Sequence, residues 1–242
     1  MRFTIMTWNL RRRPQGYAYL DEHLRPDVAL LQETSPPPGR GQTIYRAIGG
    51  ARNWGSAITS RRWPLTQITS TRGPASKQPA DLLITHPGCT AIARITPPDH
   101  EPIVLVSIYG LIDNGYAHTT MHRLLSDLTP LLDSHRNKRL ILGGDLNLST
   151  QLKETDARHH RPAFDRLAAF GLIDLLASSR HERQPLADCP CRDNPCTHVQ
   201  TYRHSRGNTP WQNDYLYATK TLADELVDCR TISGGRPDPW DG

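Results

Sequence analysis

The chain has 242 residues, 37% of them hydrophobic and 22% charged, a balance that excludes a disordered or collagenous protein and suffices for one sizeable core. No apolar run approaches the ~20 residues of a membrane span, and the basic residues of MRFTIMTWNLRRR follow its apolar stretch, unlike a secretory signal, so a cytoplasmic protein is expected. The net charge of +5 is carried mainly by arginine, since only Lys77, Lys138, Lys153 and Lys220 are lysines; it suits phosphate-rich partners, but a compositional bias towards arginine gives the same balance.

RFTIMTWN reads as a short strand ending at Asn9, and RRRPQ breaks it. YAYLDEHLRP predicts a short helix stopped by Pro26. DVALLQE predicts a buried strand ending at Glu33, and three prolines make SPPPGRG a loop. QTIYRAI and WGSAITSR predict two more strands, the second ended by RRWP. Residues 70–80 read as an exposed loop. CTAIARITP alternates apolar and polar positions as a half-buried strand does. PPDHEP predicts a turn and PIVLVSIYG the next buried strand. The period then changes. Met121, Leu124, Leu125, Leu128, Leu131 and Leu132 share one helical face between Ala117 and His135, with Pro130 expected to interrupt it. KRLILGGD returns to strand. ARHHRPAFDRLAAFG predicts a helix with Gly171 as its stop. Residues 180–198 are polar and cysteine-rich, hence a loop. HVQTYRHS, NDYLYAT and ELVDCRTIS predict closing strands. No repeat or composition shift marks a linker, so one layered α/β domain over residues 1–242 is expected.

Asn9, Glu33, Asp145 with Asn147, and Asp214 all fall at strand ends. Strand ends gather on one edge of a layered sheet fold, where sites are commonly built. Carboxylates there supply hard oxygen ligands for Mg²⁺. Each residue alone is more often turn chemistry; it is the joint pattern that points to a site. In ILGGDLNLST, strand alternation would send Asp145 and Asn147 to the same side.

TWN, LQE, SIYG, GGDLN and NDY occur in the order seen in the endonuclease/exonuclease/phosphatase superfamily, which the chain resembles from Arg2 to about Ile232. WGSAITSR also resembles a strand of that family. The resemblance implies a four-layered α/β sandwich, two packed and mainly antiparallel sheets flanked by helices. It implies that Glu33 binds the divalent metal, Mg²⁺ or Mn²⁺, and that Asn9 supports the metal site through hydrogen bonds. Asp145 would orient the attacking water and take its proton. Asn147 would hold the scissile phosphate or Asp145, Tyr109 would contact a phosphate oxygen, and Asp214 would orient a catalytic histidine. The family's closing Ser-Asp-His is not in this sequence, and no histidine follows His204. The expectation is a C-terminally incomplete chain that cleaves poorly; a member that binds without cutting is the competing reading.

Cys189, Cys191, Cys196 and His198 stand as C-x-C-x₄-C-x-H. Three thiolates and an imidazole make a tetrahedral Zn²⁺ set, structural because no position stays open. Residues 187–204 would form this zinc-binding insertion, with Pro190 and Pro195 limiting loop entropy. Most structural sites use C-x₂-C knuckles, His204 and Cys229 are alternative ligands, and reduced surface thiols or a disulfide compete. Arg11 and Arg12 with Trp211, and also Arg61, Arg62 and Trp63, suit a nucleic-acid backbone and a stacked base. The expected activity is therefore a metal-dependent nuclease on DNA or RNA. The alternatives are a phosphatase on a small phosphorylated substrate and a catalytically silent nucleic-acid-binding protein.

Overall fold

The structure, a computed structural model, describes residues 2–36, 42–50, 52–72, 78–136, 138–151, 154–179, 186, 189–191, 196–203 and 210–232. Residues 37–41 of the SPPPGRG stretch, Pro195, His204 and the closing RPDPWDG lie outside these. The first sheet holds β1 (Ile5–Asn9), β2 (Val28–Thr34), β3 (Thr43–Gly49) and β4 (Arg52–Ser60), in the order β1-β2-β4-β3. β5 (Thr66–Gln67) belongs to the second sheet, while β6 (Ser70–Thr71) and β7 (Ala80–Asp81) pair with each other. β8 (Thr90–Ile95), β9 (Ile103–Tyr109), β10 (Leu140–Asp145) and β11 (Leu172–Asp174) continue the second sheet. β12 (Tyr202–Arg203) pairs with β13 (Pro210–Trp211), and β14 (Asp214–Thr219) completes the order β11-β14-β10-β9-β8-β5. β1–β2 and β9–β10 are parallel; the other described ladders are antiparallel.

Alternation along each strand sorts its side chains into layers. On β2, Val28 and Leu30 join the core between the sheets, while Ala29 and Leu31 turn the other way. There they meet Leu10, Tyr17 and Leu20 from α1 (Gln15–Tyr19) and its π-helical extension to Leu24. On β9, Ile103 and Leu105 face the first sheet. Val104, Val106 and Ile108 pack under α2 (His118–Asp127), α3 (Thr129–Ser134) and α4 (Glu154–Ala169). The result is helix, sheet, sheet, helices: the four-layered sandwich that the family resemblance implies.

The helical stripe from Met121 to Leu132 is wholly buried, and the break falls at Leu128, with Pro130 in the first turn of α3, where its missing N–H is not needed. Gly171 follows α4 with φ +79°, as its stop role requires. Two short helices, α5 (Leu175–Ser178) and α6 (Lys220–Ala223), close the described elements.

Three expectations need correction. The segment read as a loop over residues 70–80 begins and ends in strand, because Ser70 and Thr71 find partners in Asp81 and Ala80. Among the described residues of HVQTYRHS, Tyr202 and Arg203 alone are in strand. ELVDCRTIS forms no strand over its described residues, because β14 already has β11 and β10 on its two edges. Leu226 and Cys229 pack into the inter-sheet core instead, and Glu225 clamps Arg139 through both carboxylate oxygens at 2.6 and 3.0 Å. The edge strand there is β11, in residues beyond the Gly171 stop for which no element was expected. No helix among the described residues is long and apolar enough to cross a membrane.

Two devices set the strand ends against one another. Gln32 on β2 donates to Ser107 Oγ on β9 at 3.0 Å, and Ser107 donates back to the Leu31 carbonyl at 3.0 Å. These buried pins fix the two sheets in register just below Glu33 and Tyr109. Gly144, before Asp145, lets β10 close on β9: a Cβ there would overlap the Ile108 carbonyl oxygen.

Candidate active site

The ends of β1, β2 and β10 and the start of β14 meet at one edge of the sandwich. Asp145 stands opposite Asp214 on β14 and Tyr109 on β9. The Asn9 amide donates to Glu33 Oε1 at 3.0 Å and to Asp145 Oδ2 at 2.8 Å. Its own carbonyl accepts the Arg11 N–H at 2.8 Å, so the side chain is locked as a bridge between two carboxylates. The Tyr109 hydroxyl donates to Glu33 Oε1 at 3.0 Å.

Backbone strain marks the same edge. Seven non-glycine residues among those described have positive φ, and Arg11, Arg12, Glu33 and Asn147 are four of them. Such conformations cost on the order of 1–3 kcal/mol each and persist only where surrounding structure enforces them. Glu33 (φ +45°) sits where the β2–β4 register shifts, a bulge that re-aims its carboxylate. Asn147 (φ +49°) corrects the alternation expected for ILGGDLNLST. The strand ends at Asp145, and a turn follows. Asn147 donates its N–H to Asp145 Oδ1 at 2.9 Å and its side-chain amide to the Gly110 carbonyl at 3.0 Å.

Burial pushes the Asp145 carboxyl well above the usual carboxylate range, and the charge of Asp214 adds to this. The Asn9 amide and the Asn147 N–H pull the other way. Burial raises Asp214 to about 6, against the Thr201 hydroxyl and the Arg11 guanidinium, which lower it. The Tyr109 phenol is raised by burial and then by the Glu33 and Asp145 charges. An edge this crowded with negative charge favours a cation.

Beside it opens a cleft of about 210 Å³ lined by Asn147, Ser149, His160, Tyr202, Trp211 and Asn213. Arg11 lies over the Tyr202 ring at 5.3 Å, and Tyr202 pairs with Trp211 across the β12–β13 ladder. Arg12 turns back to Glu33 at 3.9 Å and lies near Trp54 at 5.9 Å. Arg61, Arg62 and Trp63 are not part of this edge. They follow Ser60, which pairs with Val28 at the far end of β2, roughly 16 Å of strand from Glu33. Arg62 reaches Asp27 at 3.8 Å, Arg61 donates to the Arg25 carbonyl at 2.8 Å, and Trp63 is buried against Phe3. A second cleft of about 220 Å³ beside Arg61, Asp21 and Gln42 carries no comparable set of carboxylates.

Sequence reasoning missed His160, Tyr202, Asn213, Thr201 and Trp54. Thr201 Oγ1 accepts the N–H groups of Asn213 and Asp214 at 3.0 Å each, and Trp54 meets Tyr109 edge-on at 5.6 Å. Asn213, inside the NDY motif, was the one with a signal. Away from the carboxylates, the donor atoms of Cys189, Cys191, Cys196 and His198 all lie within 4.8 Å of one another. Cys229 is buried in the inter-sheet core and stands outside that group.

A sequence profile of the Endonuclease/Exonuclease/phosphatase family matches residues 6–236. The chain belongs to the endonuclease/exonuclease/phosphatase family. Solved structures share the family fold. An AP endonuclease from Leishmania major matches with a TM-score of 0.62 at 19% identity, over 93% of this chain and 81% of that one. The catalytic domain of Xenopus laevis APE2 matches with a TM-score of 0.60 at 14% identity, over 91% and 83%. The endonuclease domain of TRAS1, a telomere-specific non-LTR retrotransposon, matches with a TM-score of 0.58 at 18% identity, over 92% and 88%. No curated protein matches the chain. Within this endonuclease/exonuclease/phosphatase fold, Asn9, Glu33 and Asp145 share one edge.

Proposed function

We propose that the chain hydrolyses phosphodiester bonds of DNA or RNA with Mg²⁺ or Mn²⁺. The observation that carries this reading is the single Asn9 amide bridging Glu33 and Asp145, next to a cleft lined by Tyr202 and Trp211, with Arg11 over the Tyr202 ring. The donor set fits a hard divalent cation, which takes one or two carboxylates and keeps several waters. Glu33, with Asp145 beside it, would hold the ion; when bound, it would neutralise the charge developing on the phosphate. Asp145 accepts the proton of the attacking water. Its desolvated carboxylate is a stronger base than one in bulk water, and the Asn9 and Asn147 donors favour its ionised form and aim it. Tyr109 fixes the rotamer of Glu33. Asp214 adds negative charge across the ladder and steadies Arg11. Arg11 draws in a phosphate backbone, and the Tyr202 and Trp211 faces offer surfaces on which a base can stack. Two of the solved neighbours, an AP endonuclease and a retrotransposon endonuclease domain, agree in class with this reading.

The test is cleavage of plasmid, single-stranded DNA, RNA and inositol phosphates with and without Mg²⁺. Nucleic acid is expected to be cut and inositol phosphates spared. Asp145→Ala should lower the rate about 10²–10⁴-fold, the share of a general base. Activity that survives this substitution, or that is confined to inositol phosphates, overturns the proposal.

A further inference from the structure

We infer that Cys189, Cys191, Cys196 and His198 bind one zinc ion, and that this ion braces the wall of the cleft. The spacing is that of a metal shell. Cys196 Sγ lies 3.5 Å and Cys189 Sγ 3.7 Å from His198 Nδ1. Around a tetrahedral zinc with Zn–S near 2.3 Å and Zn–N near 2.05 Å, a sulfur and a nitrogen sit about 3.5–3.6 Å apart. All three cysteines are free thiols. Binding Zn²⁺ forms three Zn–S bonds and one Zn–N bond and releases three thiol protons to solvent, leaving a site of net charge −1.

The surroundings are arranged as metal sites arrange them, with polar partners that orient each ligand. His198 is buried, and its Nε2 lies 2.8 Å from Thr150 Oγ1. With Nε2–H donated there, Nδ1 presents its lone pair to the sulfurs. The Gln151 amide donates to Cys189 Sγ at 3.2 Å, a contact that suits a thiolate. Gln151 is itself buried, and its oxygen accepts the Gln212 N–H at 2.6 Å and the Ser149 hydroxyl at 3.1 Å. Gln212 in turn accepts the Val199 N–H at 2.9 Å.

These bonds tie Cys189 and His198 to two strand ends of the candidate active site. Ser149, Thr150 and Gln151 follow Asp145 and Asn147; Gln212 lies between Trp211 and Asn213, just before Asp214. Residues 189–191 and 196–201 have no helix or strand to hold them and only Val199 in the hydrophobic core. A small unit of this kind takes its folding energy from the ion. Soft thiolates select zinc here, while the hard carboxylates of Glu33 and Asp145 select magnesium, so one chain keeps two metals apart.

The bracing role rests on the proposed hydrolase reading; the binding does not. The full chain, expressed in zinc-supplemented medium and dialysed under reducing conditions, is assayed for metal by mass spectrometry and for zinc released as a mercurial binds the thiolates. About one zinc per chain is expected, freed as three thiolates form Hg–S bonds. Cobalt(II) in place of zinc should give the visible bands of a tetrahedral thiolate site. Cys191→Ser and His198→Gln should lose the bound metal and those bands. Zinc-free protein should show a raised KM on a nucleic-acid substrate while Mg²⁺ remains saturating. Folded protein that retains only a small fraction of an equivalent of zinc, or that carries a disulfide within this group, overturns the inference. So does zinc bound equally well by the parent chain and both variants. A chain that binds zinc but cuts nothing refutes the hydrolase reading alone; one that cuts at full rate without zinc refutes the bracing.

Discussion

Asp214→Asn removes a charge that the fold carries at a loss. Burial moves this carboxyl from 3.8 to about 6. Two units correspond to about 3 kcal/mol at roughly 1.4 kcal/mol per unit. The native chain therefore holds the proton longer than the unfolded chain, and stability falls as pH rises between those values. The penalty is complete above about pH 6, about half remains near pH 5, and it vanishes below the unfolded value. An asparagine keeps an oxygen for the Thr201 hydroxyl and sheds the charge, although it gives up attraction to Arg11. The expected gain is about 1–3 kcal/mol near pH 8, a Tm rise of roughly 3–10 °C for a chain of this size. Thermal unfolding followed by circular dichroism, without added divalent cation, near pH 8 and near pH 5 reads it directly. The gain should shrink at the lower pH, and saturating Mg²⁺ should narrow it by stabilising the parent more. A variant less stable than its parent near pH 8, or a gain of equal size at both pH values, refutes the reasoning.

Asn9→Ala deletes both carboxylate bridges, hydrogen bonds worth about 1.5–3 kcal/mol each when the partner is charged. Since Glu33 is partly solvated, a loss of about 2–4 kcal/mol in urea unfolding is expected, partly restored by Mg²⁺; an unchanged midpoint would mean the bridge is not formed in solution. Trp211→Ala should raise KM for a nucleic-acid substrate roughly 5- to 100-fold, the worth of one stacked base, with kcat little changed. If kcat falls and KM holds, the ring serves the chemistry and not the binding. Gly144→Ala forces a methyl against the Ile108 carbonyl and should cost about 3 kcal/mol or more, read as a lowered urea midpoint; parent-like stability would show that β10 and β9 are less closely spaced.

Much of the site was legible as strand ends. Asn9, Glu33 and Asp145 each close a hydrophobic run, and the layered fold collects such ends on one edge, so composition and order sufficed to nominate them. Asp214 was legible as well, although it opens its strand where the others end theirs; an antiparallel partner brings a strand start to the same edge. Arg61, Arg62 and Trp63 looked equivalent to Arg11 and Arg12 in sequence. Both groups follow a strand, and a linear reading does not say which end of the sheet a strand runs towards. β4 runs antiparallel to β2, which sends its trailing residues to the far edge. His160 and Tyr202 gave no local signal at all. One lies mid-helix and the other in a two-residue ladder, and each reaches the cleft only through packing.

The sequence by itself determined the layers, because alternation and helical period depend on neighbours a few residues apart. It determined the helix break near Pro130, the four polar strand ends and the Cys-Cys-Cys-His set for the same reason. Only the tertiary structure decided the direction and geometry of those groups. The left-handed backbone at Glu33 and Asn147, the amide of Asn9 shared between two carboxylates, and the tie from Gln151 to Cys189 each join residues separated by a turn, a sheet or most of the chain. Such geometry is fixed by closure of the whole fold, where the strain at one residue is held by contacts from many others, and no stretch of sequence carries it alone.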